Sequence, residues 1–192
     1  MSVSLIAAEN EAVVNNLLIA FESESNAHAK YSAYAVQADA EGFRETASLF
    51  RAIARSEEIH ANNHARVIRQ LGGDPEAHNQ AVEVQSTLEN LKSALHDEIY
   101  EIDSMYPRFL VETRASDNST ARTLTWALEA EKTHATLFKE AIHRMEARGA
   151  DSLNDSAREF YVRGTCGYLS KTLDPERCWV CNRFCGTFET VR

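Results

Sequence analysis

Acidic side chains interrupt the apolar stripe of every long helical segment in this chain, at positions that should face a core. Glu24 breaks the run Val14, Leu17, Phe21, His28, Tyr31, Ala35, Ala38, and Glu57 with His60 breaks Phe43, Ala47, Phe50, Ala54, His64, Val67, Leu71. Glu98 and Glu101 sit between Leu88, Leu91, Leu95 and Met105, Phe109, and Glu131 with His134 sits between Leu124, Leu128 and Phe138, Ile142, Met145. Burying an unpaired carboxylate costs several kcal/mol, so either the stripes are mis-phased or these residues share a compensating partner. Their spacing decides for a partner. Glu24 and Glu57 are 33 residues apart, as are Glu98 and Glu131, and a shift of 74 carries Glu24, Glu57 and His60 onto Glu98, Glu131 and His134. The chain reads as two similar helical hairpins.

The punctuation agrees. One helix is expected over about Leu5 to Asp39, with Gly42 at its turn, and a second from Phe43 to Leu71, stopped by Gly72-Gly73-Asp74-Pro75. Ser86-Thr-Leu-Glu89 has the capping-box pattern and opens a third, which Pro107 should kink or shorten near its end. The polar cluster Ser116 to Thr120 starts the fourth, and Gly149 closes it. Each of the four Glu lies about fourteen residues from its hairpin turn, roughly 20 Å at the helical rise, so antiparallel partners hold them level. The segment Gly72 to Gln85 can span about 45 Å, enough for a full-length crossover that sets the hairpins in pseudo-twofold relation. Four Glu and two His then meet at mid-height.

With 192 residues, 44% of them hydrophobic, and only 7 Gly and 3 Pro, the composition favours long helices over a sandwich or barrel. A net charge of −9 repels phosphate backbones and anionic lipid, which argues against nucleic acid or a membrane surface as partner. The amino terminus has no basic segment and meets Glu9 and Glu11 before an apolar run of signal length can form, so the expected compartment is the cytoplasm.

In Glu57-x-x-His60 and Glu131-x-x-His134 the i, i+3 spacing puts carboxylate and imidazole on one helical face. One such pair alone is usually a solvated surface pair. Two of them, matched by Glu24 and Glu98 at equal offsets on apolar stripes, form the ligand set of a dinuclear carboxylate site in a ferritin-like bundle. Iron and manganese both suit these ligands. His64 falls one turn beyond His60, but its repeat partner is Phe138, which favours packing or a supporting role over ligation.

The stretches Leu17-Leu-Ile-Ala-Phe-Glu-Ser-Glu24-Ser-Asn-Ala, Glu57-Glu-Ile-His60-Ala, Glu98-Ile-Tyr-Glu101 followed by Met105-Tyr-Pro107, and Glu131-Lys-Thr-His134 resemble the rubrerythrin family over nearly the whole chain. The resemblance implies an all-α, ferritin-like four-helix bundle with a non-haem di-iron site in residues 1–155, and a small rubredoxin-like metal-binding domain in residues 156–192. It implies a peroxidase that reduces hydrogen peroxide with electrons from NAD(P)H delivered by a redox protein. It also implies a homo-oligomer, expected to be a dimer, in which one subunit's tail lies near another's di-iron centre. Carried over by residue, Glu57 and Glu131 bridge the metals, Glu24 and Glu98 are terminal ligands, and His134 binds the second iron. Glu101 is the family's extra carboxylate, exchanging with His60 as iron changes redox state, and Tyr31 and Tyr106 hydrogen-bond around the site. Glu101 has no counterpart in the internal repeat, where Ala27 stands.

The tail departs from the family's pattern. Arg163-Gly-Thr-Cys166-Gly-Tyr followed by Cys178-Trp-Val-Cys181 resembles the two knuckles of a rubredoxin-like domain, but the first Cys falls on Arg163, and Asn182 stands where Gly usually turns the second knuckle. Cys185 is additional. It could complete a four-thiolate site for iron or zinc with Cys166, Cys178 and Cys181; the site could instead hold three thiolates, or the tail could be metal-free. Two other functions share these features: a ferritin-like ferroxidase or iron-storage module, and a non-enzymatic bundle with a structural zinc tail.

Overall fold

The computed structural model describes residues 3–78, 80–113, 118–148, 156–173, 177–184 and 188–192. Four long helical rods make the body: α1 (Val3–Ala40), α2 (Arg44–Gln70), a composite third rod and α5 (Asn118–Arg148). The third rod is α3 (Thr87–Tyr100), a π-helical segment (Glu101–Met105) and α4 (Tyr106–Glu112) in continuous succession. The class is the expected one, an all-α ferritin-like bundle, with strands confined to the tail.

Local chemistry sets the ends. Gly42 takes φ +86° at the α1–α2 turn and Gly72 takes φ +85° after α2, the left-handed conformation that closes a helix cheaply only with glycine. Ser86 caps α3, its Oγ accepting from the Glu89 N–H at 3.4 Å. The Thr87 N–H donates to Glu41 at the far end of α1. The segment between α2 and α3 therefore runs the length of the bundle as a crossover, and on the way its Gln80 N–H donates to Asn26. Ser116 and Gly149, the expected boundaries of the fourth helix, lie outside the described residues, as does the expected domain boundary at residue 155.

Pro107 acts differently from the expected kink. The rod continues through it, with the proline in the first turn of α4, and the disturbance sits one turn upstream. A proline at 107 offers no N–H to the carbonyl of Asp103 and its ring crowds that carbonyl, and the i→i+5 pattern over Glu101–Met105 relieves both.

Two apolar layers flank the acidic level. On one side Tyr31, Tyr34, Phe50 and Phe138 pack with ring centroids 5.5–6.3 Å apart, and on the other Leu17, Ile68, Phe109 and Leu124 are fully buried. The tail is a small antiparallel sheet in the order β2–β1–β3 (β1 Phe160–Arg163, β2 Leu169–Ser170, β3 Phe188–Val191). It lies against α2 and α5 of its own chain, pinned by Arg55 donating to both oxygens of Glu189 at 2.7 and 2.8 Å and by the Lys171–Glu140 pair.

Phe138 meets Tyr31 edge-on and Phe50 tilted, at 5.5 Å each. Phe138→Ala is expected to cost about 3–5 kcal/mol of unfolding free energy in urea titration of the metal-free protein. A loss under about 1 kcal/mol would show that this layer does not carry the core.

Candidate metal centre

Each rod delivers its ligands from mid-length. Glu24 comes from α1, Glu57 and His60 from α2, Glu98 from α3 and Glu131 and His134 from α5, and each is at most 1% exposed. They form two groups whose donor atoms lie within 4.8 Å of one another: Glu24, Glu57, His60, Glu131 and Glu57, Glu98, Glu131, His134. Glu57 and Glu131 belong to both. The two imidazoles are placed alike. His60 Nδ1 lies 2.9, 3.0 and 3.7 Å from Glu57, Glu131 and Glu24, and His134 Nδ1 lies 2.7, 3.1 and 3.6 Å from Glu131, Glu57 and Glu98.

These donors fit cations better than they fit one another. Glu24 Oε2, both oxygens of Glu57, Glu98 Oε2, Glu131 Oε1 and His60 Nδ1 are buried without a hydrogen-bond partner. Such atoms are costly unless something else satisfies them. Burial, then the charge of Glu131, pushes the Glu24 carboxyl up to about 8, and the same two causes raise Glu98. Glu131 goes the other way: burial opposes ionisation, but His134 and His60 outweigh it. Burial likewise opposes charge on both imidazoles, and the carboxylates facing them raise both. Carboxylate and imidazole donors suit iron or manganese.

The groups around the ligands repeat the pseudo-twofold relation. The Tyr31 hydroxyl donates to Glu98 at 2.8 Å, and the Tyr106 hydroxyl donates to Glu24. Tyr31 and Tyr106 are 75 residues apart, not 74, because the π segment inserts one residue between Glu98 and Tyr106. Without that residue the second tyrosine would be out of register with the first. His64 supports Tyr106 as expected of a non-ligand. Its Nε2 donates to the Tyr106 oxygen at 3.2 Å and its Nδ1 lies 3.1 Å from the Thr123 hydroxyl. Burial, aided by His60, holds its pKa down at about 3, so the ring is neutral.

Glu101 stands outside both groups, its Oε1 accepting from Ser23 Oγ at 2.6 Å. Burial, then the charges of Glu24 and Glu131, raise its pKa. Sequence reasoning placed Glu101 here but missed Ser23. Ser23 lies beside Glu24 in the chain, and only the fold brings it to a residue 78 positions away.

The tail reaches this site through His60. Its Nε2–H donates to the Cys166 carbonyl at 3.2 Å, leaving Nδ1 free to act as a ligand, the arrangement usual for metal-binding histidine. Ser56 donates to the Gly167 carbonyl at 2.5 Å and Asn63 to the Thr165 carbonyl at 2.9 Å. A Cβ on Gly167, which has φ +78°, would fall 2.2 Å from His60 Nε2, so only glycine fits there. The resemblance implies that a tail serves another subunit's centre; here these contacts are made within one chain.

Cys166, Cys178 and Cys181 form a third group, with Cys166 and Cys178 sulfurs 3.7 Å apart. Thiolate–metal bonds of about 2.3 Å give tetrahedral edges of about 3.8 Å. The hydrogen bond from Cys166 holds the Cys178 thiol down at about 5. Arg163 is 1% exposed, donates to the Phe184 carbonyl and lies 5.3 Å from the Phe188 ring centre; as a permanent cation it is no ligand. Cys185 lies outside the described residues.

Residues 15–142 match the family model described as Rubrerythrin. The chain belongs to the rubrerythrin family. Rubrerythrin-2 of Clostridium acetobutylicum is 32% identical over 178 residues, covering 92% of this chain and 95% of that protein. Nigerythrin in its fully reduced, all-ferrous state superposes with a TM-score of 0.81 at 31% identity, over 93% of this rubrerythrin and 86% of that chain. A bacterioferritin from Desulfovibrio desulfuricans, solved with its di-iron site in different catalytic states, gives 0.72 at 25% identity over 78% and 91%. Among the described residues no helix is long and apolar enough to cross a membrane.

In the metal-free protein Glu24, Glu98, Glu101, His60 and His134 all bind protons more tightly folded than unfolded. Their contribution to stability is therefore lost as pH rises, for Glu24 between about 4.5 and about 8. Glu131 and His64 work in the opposite direction, as do the exposed or half-buried Glu41, Glu45 and Glu189, losing their contributions on acidification. The melting temperature of metal-free protein is expected to fall from pH 5 to pH 9, and bound Mn(II) or Zn(II) to flatten the fall with proton release on binding. A metal-free melting temperature that rises over this range would contradict the assignment.

Proposed function

We propose that this rubrerythrin is a cytoplasmic non-haem di-iron peroxidase that reduces hydrogen peroxide to water with electrons from NAD(P)H passed on by a redox protein. The observation that carries the reading is the pair of ligand groups sharing Glu57 and Glu131, with His60 of one group hydrogen-bonded to the Cys166 knuckle. Glu57 and Glu131, common to both groups, would serve both metals, with Glu24 and His60 completing one site and Glu98 and His134 the other. Glu101 is the exchangeable carboxylate. Iron is the expected metal, and manganese would fit the same ligands.

When bound, two ferrous ions supply one electron each, which balances H2O2 + 2 e− + 2 H+ → 2 H2O. The chain's own residues do the rest. Tyr106 and Tyr31 are raised, by burial and then by Glu24 and Glu98 respectively, so they stay protonated and fix the two terminal carboxylates as acceptors. The aromatic layer around Phe50 and Phe138 excludes water from one side. A cleft of about 560 Å³ lined by Glu101, Ser23, Lys30 and Tyr100 admits peroxide and the solvent that supplies protons. The tail, residues 156–192, would hold one iron or zinc on Cys166, Cys178, Cys181 and Cys185; iron there would supply a one-electron carrier, with the Cys166 carbonyl hydrogen-bonded to His60. The body is residues 1–155, and the working unit is a homodimer.

A ferroxidase or storage module is the second reading, favoured by the likeness to bacterioferritin. Storage has no use for a thiol cluster whose backbone accepts a hydrogen bond from a site histidine. Anaerobic reconstitution with Fe(II), followed by separate additions of peroxide and oxygen, decides between them. Two irons in the bundle, oxidised faster by peroxide, are expected; faster oxidation by oxygen with many irons taken up per chain would favour storage.

Gly167→Ala tests the route. In protein reconstituted to two irons it is expected to slow donor-driven turnover on the order of tenfold more than single-turnover peroxide reduction, since the methyl pushes Cys166 off His60. Unchanged steady-state turnover would exclude transfer through this contact.

A further inference from the structure

We infer that Ser23 is a positioning residue that parks Glu101 off the two ligand groups and so sets how readily that carboxylate joins them. This rests on the reading of Glu101 as the exchangeable carboxylate. Glu101 begins one turn after Glu98 and is 6% exposed, close enough to the ligand groups to feel the charges of Glu24, Glu131 and Glu98. It nevertheless belongs to neither group, and its Oε1 is taken by Ser23 Oγ at 2.6 Å. That length lies at the short end of hydroxyl–oxygen hydrogen bonds.

The bond is specific. Ser25, two residues on in the same helix, donates to the backbone carbonyl of Phe21, as a helical serine usually does. Ser23 instead directs its proton across to another rod. Nor does the repeat supply it: the 74-residue shift sends Ser23 to Asp97, which is paired with Lys30, and sends Glu101 back to Ala27. The pair therefore exists on one side of the pseudo-twofold only, the side where the 560 Å³ cleft opens. Glu101 is also the first residue of the π segment, whose wider turn holds its side chain away from the straight α-helical path of Glu98.

The direction of the effect follows from charge. A hydroxyl bound to the detached carboxylate opposes attachment, and attachment of a further anion favours the more highly charged, oxidised metals. Loss of the Ser23 hydroxyl shifts the balance toward attached Glu101 by about tenfold, the upper end of the net weight of one hydrogen bond. For a two-electron couple that lowers the midpoint potential by about 30 mV.

The test compares wild type, Ser23→Ala and Ser23→Thr by anaerobic Fe(II) titration and spectroelectrochemistry, with infrared spectra of the metal-free proteins. Two bundle irons in each protein, a lowered potential for Ser23→Ala and a wild-type potential for Ser23→Thr are expected. The metal-free Ser23→Ala protein should also show a shifted Glu101 carboxyl band, identified as the one that Glu101→Gln removes. An unchanged or raised potential with two irons bound would overturn the role of Ser23 and leave the di-iron reading standing. If wild type binds no iron pair, the di-iron reading fails, and the infrared comparison alone then decides whether Ser23 holds Glu101.

Discussion

Four carboxylates packed into one buried layer repel each other, and the bundle is organised around containing that repulsion. Two imidazoles face four acids, so the protein cannot neutralise the layer by pairing alone. The metal-free chain divides the charge unequally: Glu131, between both imidazoles, stays ionised, while burial and neighbouring charge drive Glu24 and Glu98 toward the protonated form. Two divalent cations would remove the need for that division, because their charge exceeds that of any side chain present. The aromatic layer on one side and the aliphatic layer on the other keep the dielectric low, which makes the layer costly when empty and selective when filled.

Much of this was legible in the sequence because a carboxylate on an apolar stripe has few bland explanations. The 33- and 74-residue spacings located Glu24, Glu57, Glu98, Glu131, His60 and His134, and the structure gathers all six. The long segment before Ser86 read correctly as a crossover. Pro107 was legible as a disturbance but not as its form, since proline's lost hydrogen bond can be met by a kink, a stop or a widened turn, and only packing chooses. Ser23, Thr123 and Gly167 carried no periodic signal. A serine, a threonine and a glycine are ordinary in their local settings, and their roles arise from residues 78, 59 and 107 positions away.

The tail shows how a backbone can outlast one of its ligands. Arg163 occupies the first knuckle position, yet the turn survives: the Gly167 N–H donates to the Arg163 carbonyl at 2.9 Å, and Gly167 keeps its left-handed φ. In the second knuckle Asn182 takes φ +54° and donates to the Cys178 carbonyl at 2.8 Å, tolerable because asparagine is among the few residues that visit this region. The turns are held by main-chain bonds, and the thiols stay at metal-binding separation beside a buried guanidinium. Among the described residues that guanidinium's Nε and Nη1 find no hydrogen-bond partner, a cost that aromatic contact with Phe188 offsets only in part.

The repeat explains why the site is symmetric; its departures explain why it has a direction. His60 and His134 are equivalent under the shift of 74 and lie at nearly equal distances from their neighbours, but among the described residues only His60 has its outer nitrogen bonded, to Cys166, while that of His134 has no partner. Phe138 packs where His64 forms a chain to Tyr106 and Glu24. Ala27 stands where Glu101 opens on the cleft. All three departures fall on the features that connect the buried layer to its surroundings: the tail through His60, a neutral hydrogen-bond chain through His64, and solvent through Glu101. A duplicated hairpin suffices to hold two like metals. Distinguishing their surroundings takes residues that the duplication does not supply, and in this chain those residues lie on the His60 and Glu24 half of the centre.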